Sequence, residues 1–477
     1  MELRRLASVV CAFALMFSAA CGARLSEDQR QTGIASGGGV GAEGIAEGEA
    51  GGIGSGTLGG PSSGGPGGSG GSSDIAVGGG GASGTTGGGG GAGSGVPEGG
   101  NGGATDVGVT GDQITLATIA DITGPQPGLF KSAHQAMQAL AAFVNNEGGI
   151  YGRRLKVDAI DAQTTSGGNR AAVIEACEKA FAMVGSMSAF DDGGVEEGEK
   201  CGIPDLTAIP TNPNRARASN IFSAYPNGPD HYIIGPAKYI KQKFPEAPKS
   251  AAFFWLNAPV TRSTAQLRMG VYEDLGYNFK IKREVQVLEA NYSPYVLEMR
   301  QEEIEYVSMV GDFQSISRFL KAMRQQNYFP TVREWDSVAY DPDFLDAAGP
   351  AGEQSKVYLN TALFEEINSN KEMQLYVGWL NRVAPGAEPD YFGLYAWSAG
   401  RLFVKAATDV GPNLTRAKLM ATLKGIHAWD GYGLHAPHDT GRQIPSPCYL
   451  YVQVRDGRFA RETPSNGWTC NQGIVRP

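Results

Sequence analysis

The side chains best suited to chemistry are hydroxyls, carboxylates and aromatic rings in short loops, each between an apolar run and a helical stretch. Hydroxyls and backbone amides at helix starts can hold a carboxylate, an acidic side chain can hold an ammonium group, and aromatic rings can pack on apolar ligand atoms. The candidates are Phe130, Ser186, Ser188, Thr211, Asp312, Tyr340 and Asp341. Together they suit the binding of a small polar ligand.

From residue 106 onward, the sequence lacks the motifs of common hydrolases and of phosphate-loop enzymes. This part contains no Gly-x-Ser-x-Gly, no His-Glu-x-x-His and no Gly-x-x-x-x-Gly-Lys-Ser/Thr. The adjacent Asp191 and Asp192 resemble a metal-binding pair, but without further ligands a solvated loop is favoured. The sequence therefore predicts no metal, no cofactor and no enzyme activity, with an exported hydrolase as the less favoured alternative.

Apolar runs and helical patterns alternate along the folded part of the chain. The first series predicts strands at 113–120, 155–160, 180–184 and 205–209, with amphipathic helices between them. The second series predicts strands at 251–256, 281–287, 306–310 and 337–340. Repeated strand–helix–strand units require parallel strands with right-handed crossovers. Because about 370 residues exceed what one core usually accommodates, two sheets are expected. Ligands of such sheets bind beyond the carboxyl ends of the strands, where the candidate loops lie.

The amino terminus has the pattern of a secretory signal, with Arg4 and Arg5 before a short apolar run and a small-residue exit. Residues 1–20 are predicted to be this signal peptide. The sequence Ser18-Ala19-Ala20-Cys21 resembles a bacterial lipobox, in which the cysteine receives a diacylglycerol. Cys21 is the predicted lipidation site, and ordinary cleavage leaving a free amino-terminal cysteine is the alternative.

Residues 21–105 are predicted to be a disordered, lipid-anchored linker. From position 33 to position 103, 35 of 71 residues are glycine, so no core can form there. Residues 1–105 hold 4 Lys+Arg and 8 Asp+Glu, leaving 36 and 41 for the rest, a net charge of −5. With no basic stripe, nucleic acid is not expected as a partner.

Four cysteines lie in the folded part of this exported chain, which suggests two disulfides. The most local of the three connectivities pairs Cys177 with Cys201 and Cys448 with Cys470. Zinc ligation is the alternative, although the sequence has no Cys-x-x-Cys pair.

Three stretches resemble the opening of the leucine/isoleucine/valine-binding type of solute-binding protein: residues 109–116, Thr123-Gly124-Pro125, and residues 144–155 around Gly148-Gly149. Further matches are residues 182–186, Thr211-Asn212-Pro213 and residues 340–345. These proteins are the extracytoplasmic receptors of ABC importers and have the type I periplasmic-binding-protein fold. The resemblance covers residues 109 to about 457.

The resemblance implies two Rossmann-like α/β lobes joined by a three-crossover hinge, which close over a ligand. The predicted lobe 1 comprises residues 106–228 and 362–432, and lobe 2 comprises 229–361 and 433–477. It also implies residue roles. Thr211 matches the threonine that contacts the charged end of an amino acid, although capping of a helix is an equal alternative. Asp341 is the candidate partner of the ligand ammonium, and it could also start a helix. Ala189 stands where the family serine is expected.

The implied function is capture of a small amino-acid-like solute and its delivery to an ABC permease and ATPase complex. The expected location is the outer face of the cytoplasmic membrane, in the periplasm or at the cell surface, held by the lipid anchor. A ligand-binding sensor without a transport role is the alternative that the sequence leaves open.

Overall fold

The computed structural model describes residues 95–124, 127–228, 231–470 and 472–475. The signal peptide, Cys21 and most of the predicted linker lie outside this part of the chain. The last residues of that linker pack on the folded part. Asn101 is buried and donates to Gly111 O at 2.7 Å and Tyr151 O at 3.0 Å, so ordered packing reaches at least five positions before residue 106.

A four-stranded parallel sheet forms the first lobe, in the order β2-β1-β3-β4. Its strands are β1 (Gln113–Ala120), β2 (Arg154–Asp161), β3 (Ala182–Val184) and β4 (Asp205–Leu206). The helices that follow them are α1 (Lys131–Asn146), α2 (Ser166–Lys179), α3 (Val195–Cys201) and α4 (Pro213–Ala216). The alternation predicted from the sequence is therefore present.

The second lobe contains a seven-stranded mixed sheet and a small two-stranded one. The elements of this lobe in its first, continuous stretch of chain are β5 (Tyr232–Ile233), α5 (Gly235–Lys243), β6 (Ala251–Leu256), α6 (Pro259–Asp274), β7 (Phe279–Val285), α7 (Ser293–Gln301), β8 (Tyr306–Val310), α8 (Phe313–Gln325), β9 (Val332–Trp335), α9 (Pro342–Ala348) and β10 (Lys356–Leu359). The remaining strands are β11 (Leu450–Arg455), β12 (Arg458–Thr463) and β13 (Ile474–Val475). The large sheet runs β12-β11-β10-β9-β8-β6-β7, and its first two strands are antiparallel additions.

Between β10 and β11 the chain returns to the first lobe through α10 (Lys371–Val383), α11 (Tyr391–Val410) and α12 (Arg416–Lys424). Apolar residues of these helices, such as Met373, Leu394 and Leu402, belong to the same core as Leu140 of α1. The long apolar face of α11 is thus core, as its helical spacing indicates.

The chain passes between the lobes three times, and the crossing segments pair with one another. Ala362 N donates to Leu434 O at 2.8 Å and Ala436 N to Asn360 O at 2.7 Å, while Ser446 N donates to Pro226 O at 2.9 Å. This is the topology of the type I periplasmic-binding-protein fold. The residue-level lobe boundaries stay a prediction.

One predicted strand is wrong in position. The sequence predicted a strand at 337–340, but β9 occupies Val332–Trp335 and Ser337–Ala339 is a 3-10 helix. Arg333 and Glu334 interrupt the apolar run that would indicate a buried strand. Charged residues are rarely buried unless they are paired, so the sequence pattern did not indicate a strand here. Glu334 is paired in the core with Arg268 at 3.0 Å, and Arg333 donates to Pro330 O and Glu353 O, each at 2.9 Å.

Two disulfides are present, Cys177–Cys201 and Cys448–Cys470. The first joins the ends of α2 and α3, where Arg416 also donates to the carbonyl oxygens of Cys177 and Cys201 at 3.0 and 3.3 Å. The second joins the chain just before β11 to the chain after β12. Each bond therefore closes a local loop.

Candidate functional site

Asp121 connects three loops at the carboxyl edge of the first sheet. It directly follows β1 and is fully buried. Its carboxylate accepts hydrogen bonds from Ser188 Oγ at 2.9 Å, Ala189 N at 2.7 Å and Thr164 N at 3.2 Å. Burial raises the pKa of Asp121, and these three donors oppose that rise. Asp121 thus fixes the loops after β1, β2 and β3 relative to one another.

Asp191 makes a similar connection between the loops after β3 and β4. Its buried carboxylate accepts from Thr211 N at 2.7 Å, Asn212 N at 3.0 Å and Asn212 Nδ2 at 2.8 Å. Arg215 Nε lies 3.8 Å from it, and Arg215 Nη2 pairs with Asp205 at 2.8 Å. Burial raises the pKa of Asp191 while Arg215 and the amide donors lower it. Asp191 is therefore part of a built polar network and not of a solvated acidic loop.

The hydroxyls predicted to meet a ligand are engaged within the first lobe. Thr211 Oγ1 donates to Ser188 O at 2.6 Å, and Ser186 Oγ accepts from Ile119 N at 3.0 Å. The residue that caps α4 is Asn212 and not Thr211. The contacts of Ser186, Ser188 and Thr211 with a ligand stay predictions. Ser186 and Ser188 are buried, whereas Thr211 is partly exposed.

Asp336 and Ser337 occupy the corresponding edge of the second sheet, and the sequence analysis did not single them out. Asp336 directly follows β9, and its Oδ1 accepts from Val338 N at 3.3 Å. Burial raises the pKa of Asp336 to about 6, with the nearby Arg268 acting in the opposite direction. Only the correct position of β9 reveals these residues, because ligand-facing residues are expected where a parallel strand ends.

Three tyrosines from the first lobe and the first crossing face this edge. The ring of Tyr225 lies 6.1 Å from that of Tyr391 and 5.1 Å from that of Tyr395, in edge-to-face geometry. Ser337 Oγ donates to Tyr391 OH at 2.8 Å, and Tyr395 OH donates to Asn360 Oδ1 at 2.8 Å. Burial raises the pKa of Tyr225, and the negative charge of Asp336 adds to that rise. Aromatic rings, hydroxyls and one carboxylate therefore meet between the lobes.

The four remaining predicted ligand residues have structural partners. Phe130 is buried in the first core against Phe392, and Tyr340 is buried in the second, where its hydroxyl donates to Glu365 Oε2 at 2.6 Å. Asp312 caps α8 by accepting from Ser315 N at 2.7 Å, and Asp341 caps α9 by accepting from Asp343 N at 2.8 Å. Their proposed contacts with a ligand stay predictions.

Asp341 also lies near acidic side chains of the other lobe. Burial raises its pKa to about 6, and Asp390, the cap of α11, adds to that rise. Asp390 accepts from Gly393 N at 2.7 Å, and burial raises its pKa as well. Asp341 and Asp390, which belong to different lobes, are therefore harder to ionise than ordinary aspartates.

A serine and a histidine contact each other in the core of the first lobe, where both are part of a buried hydrogen-bond network. Ser398 Oγ lies 2.8 Å from His435 Nε2 and accepts from Trp429 Nε1 at 3.0 Å, while His435 Nδ1 lies 3.1 Å from Ala436 O. Both residues are buried, and burial lowers the pKa of His435 to about 3. A nucleophile must reach its substrate, and this serine does not reach the interlobe surface.

Within the described residues, no cluster of three or more His, Cys, Asp or Glu side chains has the arrangement to hold a metal ion. The described helices also include none that is long and apolar enough to span a bilayer.

The fold and the interlobe position of these side chains define a two-lobed binding protein. The family model for "periplasmic binding protein" matches residues 113–458. The chain belongs to this periplasmic binding protein family. A search of curated protein sequences gave no match.

Solved structures share the fold at low sequence identity. The leucine-binding protein LivK of Thermotoga maritima is 14% identical, with a TM-score of 0.60 over 76% of this chain and 99% of that one. LivJ of Streptococcus pneumoniae, a branched-chain amino acid transporter substrate-binding protein solved with isoleucine, is 12% identical, with a TM-score of 0.62 over 77% and 100%. A solute-binding protein of R. palustris in complex with 4-hydroxybenzoate is 14% identical, with a TM-score of 0.63 over 76% and 98%. The ligands of these proteins differ, so the shared fold does not define the ligand.

Proposed function

We propose that this chain is an extracytoplasmic solute-binding protein. It captures one small amino-acid-like solute between its lobes, recognises the amino group of that solute, and delivers it to the permease and ATPase subunits of an ABC importer. It does no chemistry on the solute. Membership of the periplasmic binding protein family supports the proposal.

The observation that carries the proposal is that polar residues follow the carboxyl ends of the parallel strands in both lobes, with tyrosine rings between them. Asp121 and Asp191 organise the loops of the first lobe, and Asp336 stands at the edge of the second. Tyr225 and Tyr391 lie between them. A carboxylate next to aromatic rings suits a positively charged group with an apolar body.

Calorimetric titration of the full mature chain tests this function. Amino acids, amines, amides, small carboxylates and neutral sugars are titrated separately, and one class is expected to bind with one site per chain. Native mass spectrometry of protein purified without dialysis is the companion measurement, because tightly held solutes survive purification. Absence of binding across all classes in both measurements would reject the function.

We also propose that a lipid on Cys21 holds the protein at the outer membrane face, with the glycine-rich segment as a spacer. As a flexible coil, such a segment of 84 residues (22–105) would reach about 50 Å. Cys21→Ala is expected to move the protein from the membrane fraction to the soluble fraction. If the variant stays with the membrane and the intact mass of the parent shows no lipid, the anchor is rejected.

A further inference from the structure

The anion-binding groups of the first lobe are already occupied by the chain itself. Thr211 N and Asn212 N are the backbone amides just before α4, and both donate to Asp191. The hydroxyls of Ser188 and Thr211 donate to Asp121 and to Ser188 O. A ligand carboxylate placed here would meet the buried carboxylates of Asp121 and Asp191, and these amides and hydroxyls have no unused proton. The buried guanidinium of Arg215 lies between Asp191, at 3.8 Å, and Asp205, at 2.8 Å.

The charge of the loops around the cleft also disfavours a ligand carboxylate. The loops between each strand from β1 to β4 and the next helix, and those after β6, β8 and β9, contain no Lys or Arg. Their acidic residues are Asp121, Asp191, Asp192, Asp312, Asp336 and Asp341. Of the first basic residues beyond them, Lys131 is exposed, Arg262 is paired with Glu284 at 2.5 Å, and the buried Arg215 is paired with Asp205 at 2.8 Å. A cleft lined by one sign of charge concentrates ligands of the opposite sign and repels anions.

Asp336 is half-buried and accepts fewer hydrogen bonds than the buried acids of the first lobe. Asp121 and Asp191 each accept three hydrogen bonds, whereas within the described residues Asp336 accepts one, from Val338 N at 3.3 Å. Its second oxygen thus keeps acceptor capacity. The next residue, Ser337, donates to Tyr391 OH, and the ring of Tyr391 lies 6.1 Å from that of Tyr225. A cation bound there would gain an ion pair and an aromatic face.

We propose that the solute is an organic amine cation without a carboxylate, with its ammonium group at Asp336, and that Asp191 excludes carboxylate-bearing relatives of that amine. This inference rests on the proposed solute-binding function and narrows its substrate class from amino acids to amines. The side-chain carboxylate of Asp191 takes the amide donors of Thr211 and Asn212 that the carboxylate of an amino acid would need.

Matched probes on one carbon skeleton test the inference. The full mature chain is titrated with 3-methylbutylamine, leucine and 4-methylpentanoate, and in a second set with phenethylamine, phenylalanine and 3-phenylpropionate. Agmatine is compared with arginine in a third. In at least one set the amine is expected to bind about tenfold or more tighter than the amino acid, with no heat from the acid.

The outcomes separate this inference from the proposed function. If an amino acid or an acid binds as tightly as its amine, or if every amine fails while another solute class binds, the amine inference is wrong and the solute-binding function stands. If no class binds at all, both are wrong.

Variants provide a second readout. Asp336→Asn is expected to weaken amine binding about 10- to 100-fold, the range for loss of a charged hydrogen bond. Asp346→Asn, which changes an exposed acid of α9 outside these loops, is the matched control and should leave affinity unchanged. Asp191→Ala frees the amides of Thr211 and Asn212, so acetate should raise the melting temperature of this variant and not that of the parent. If Asp191→Ala does not fold, the Asp336→Asn titration still decides, since unchanged amine affinity overturns the inference.

Discussion

Asp336 carries a negative charge at a cost in stability, as binding residues often do. Burial raises its pKa to about 6, and the ordinary value is 3.8. The folded state therefore holds the proton more tightly than the unfolded state between these two values. Stability attributable to Asp336 falls as pH rises through this window, and the full penalty is present above about pH 6.

Asp336→Asn should remove that penalty. Above about pH 6 the variant is expected to be more stable than the parent by about 1 to 3 kcal/mol, and the difference should vanish below about pH 4, where the carboxyl is neutral in both states. Urea denaturation of both proteins, without added solute, at pH values from 4 to 8 measures it. A difference that does not change with pH would contradict this account of Asp336.

Thr211 offers a second residue-level test, because its hydroxyl donates to Ser188 O at 2.6 Å. Thr211→Val keeps the volume and leaves Ser188 O without that donor. The variant should lose about 1 to 2 kcal/mol of stability and keep its affinity for amines within about twofold. Unchanged stability with a large loss of affinity would instead place the hydroxyl on the solute.

The sequence predicted the carboxyl edge of the first sheet better than that of the second. The strands before these loops are apolar, so the sequence shows where each strand ends. The loops that carry Ser186, Ser188 and Thr211 were therefore predicted correctly. Asp336 was missed because β9 contains Arg333 and Glu334, whose burial depends on distant partners such as Arg268. Interactions between residues far apart in sequence leave no periodic signal.

At the scale of elements, close packing of α11 on α1 builds the first lobe. A Cβ on Gly400 of α11 would lie 2.1 Å from Leu140 Cδ2 and 3.1 Å from Met137 Sδ, both on α1. Glycine at this position lets the two helices approach. The apolar residues of α11 recur at helical spacing, which is typical of a core helix, but this spacing does not show which helix α11 contacts.

Gly400→Ala should therefore destabilise the protein by about 1 to 3 kcal/mol through overpacking. Gly378→Ala is the matched control, since this exposed position in α10 has no atom within 4 Å of the added Cβ. The control should gain about 0.5 to 1 kcal/mol from helix propensity. Thermal or urea denaturation compares them, and equal effects of the two substitutions would argue against tight packing at Gly400.

On the scale of the whole molecule, three crossings join two lobes that have separate hydrophobic cores. The contacts that join them include Ser337 with Tyr391 and Asn360 with Tyr395. A solute between the lobes would add contacts to both at once. Capture by closure thus predicts that binding orders loops of both lobes together.

Hydrogen–deuterium exchange of the full mature chain, with and without the solute that binds most tightly, tests this central claim most directly. The account predicts slower exchange in residues 185–192 of the first lobe and in residues 336–343 of the second, in the same sample and with the same dependence on solute concentration. Protection confined to one lobe, or located away from both segments, would contradict a binding site between the lobes.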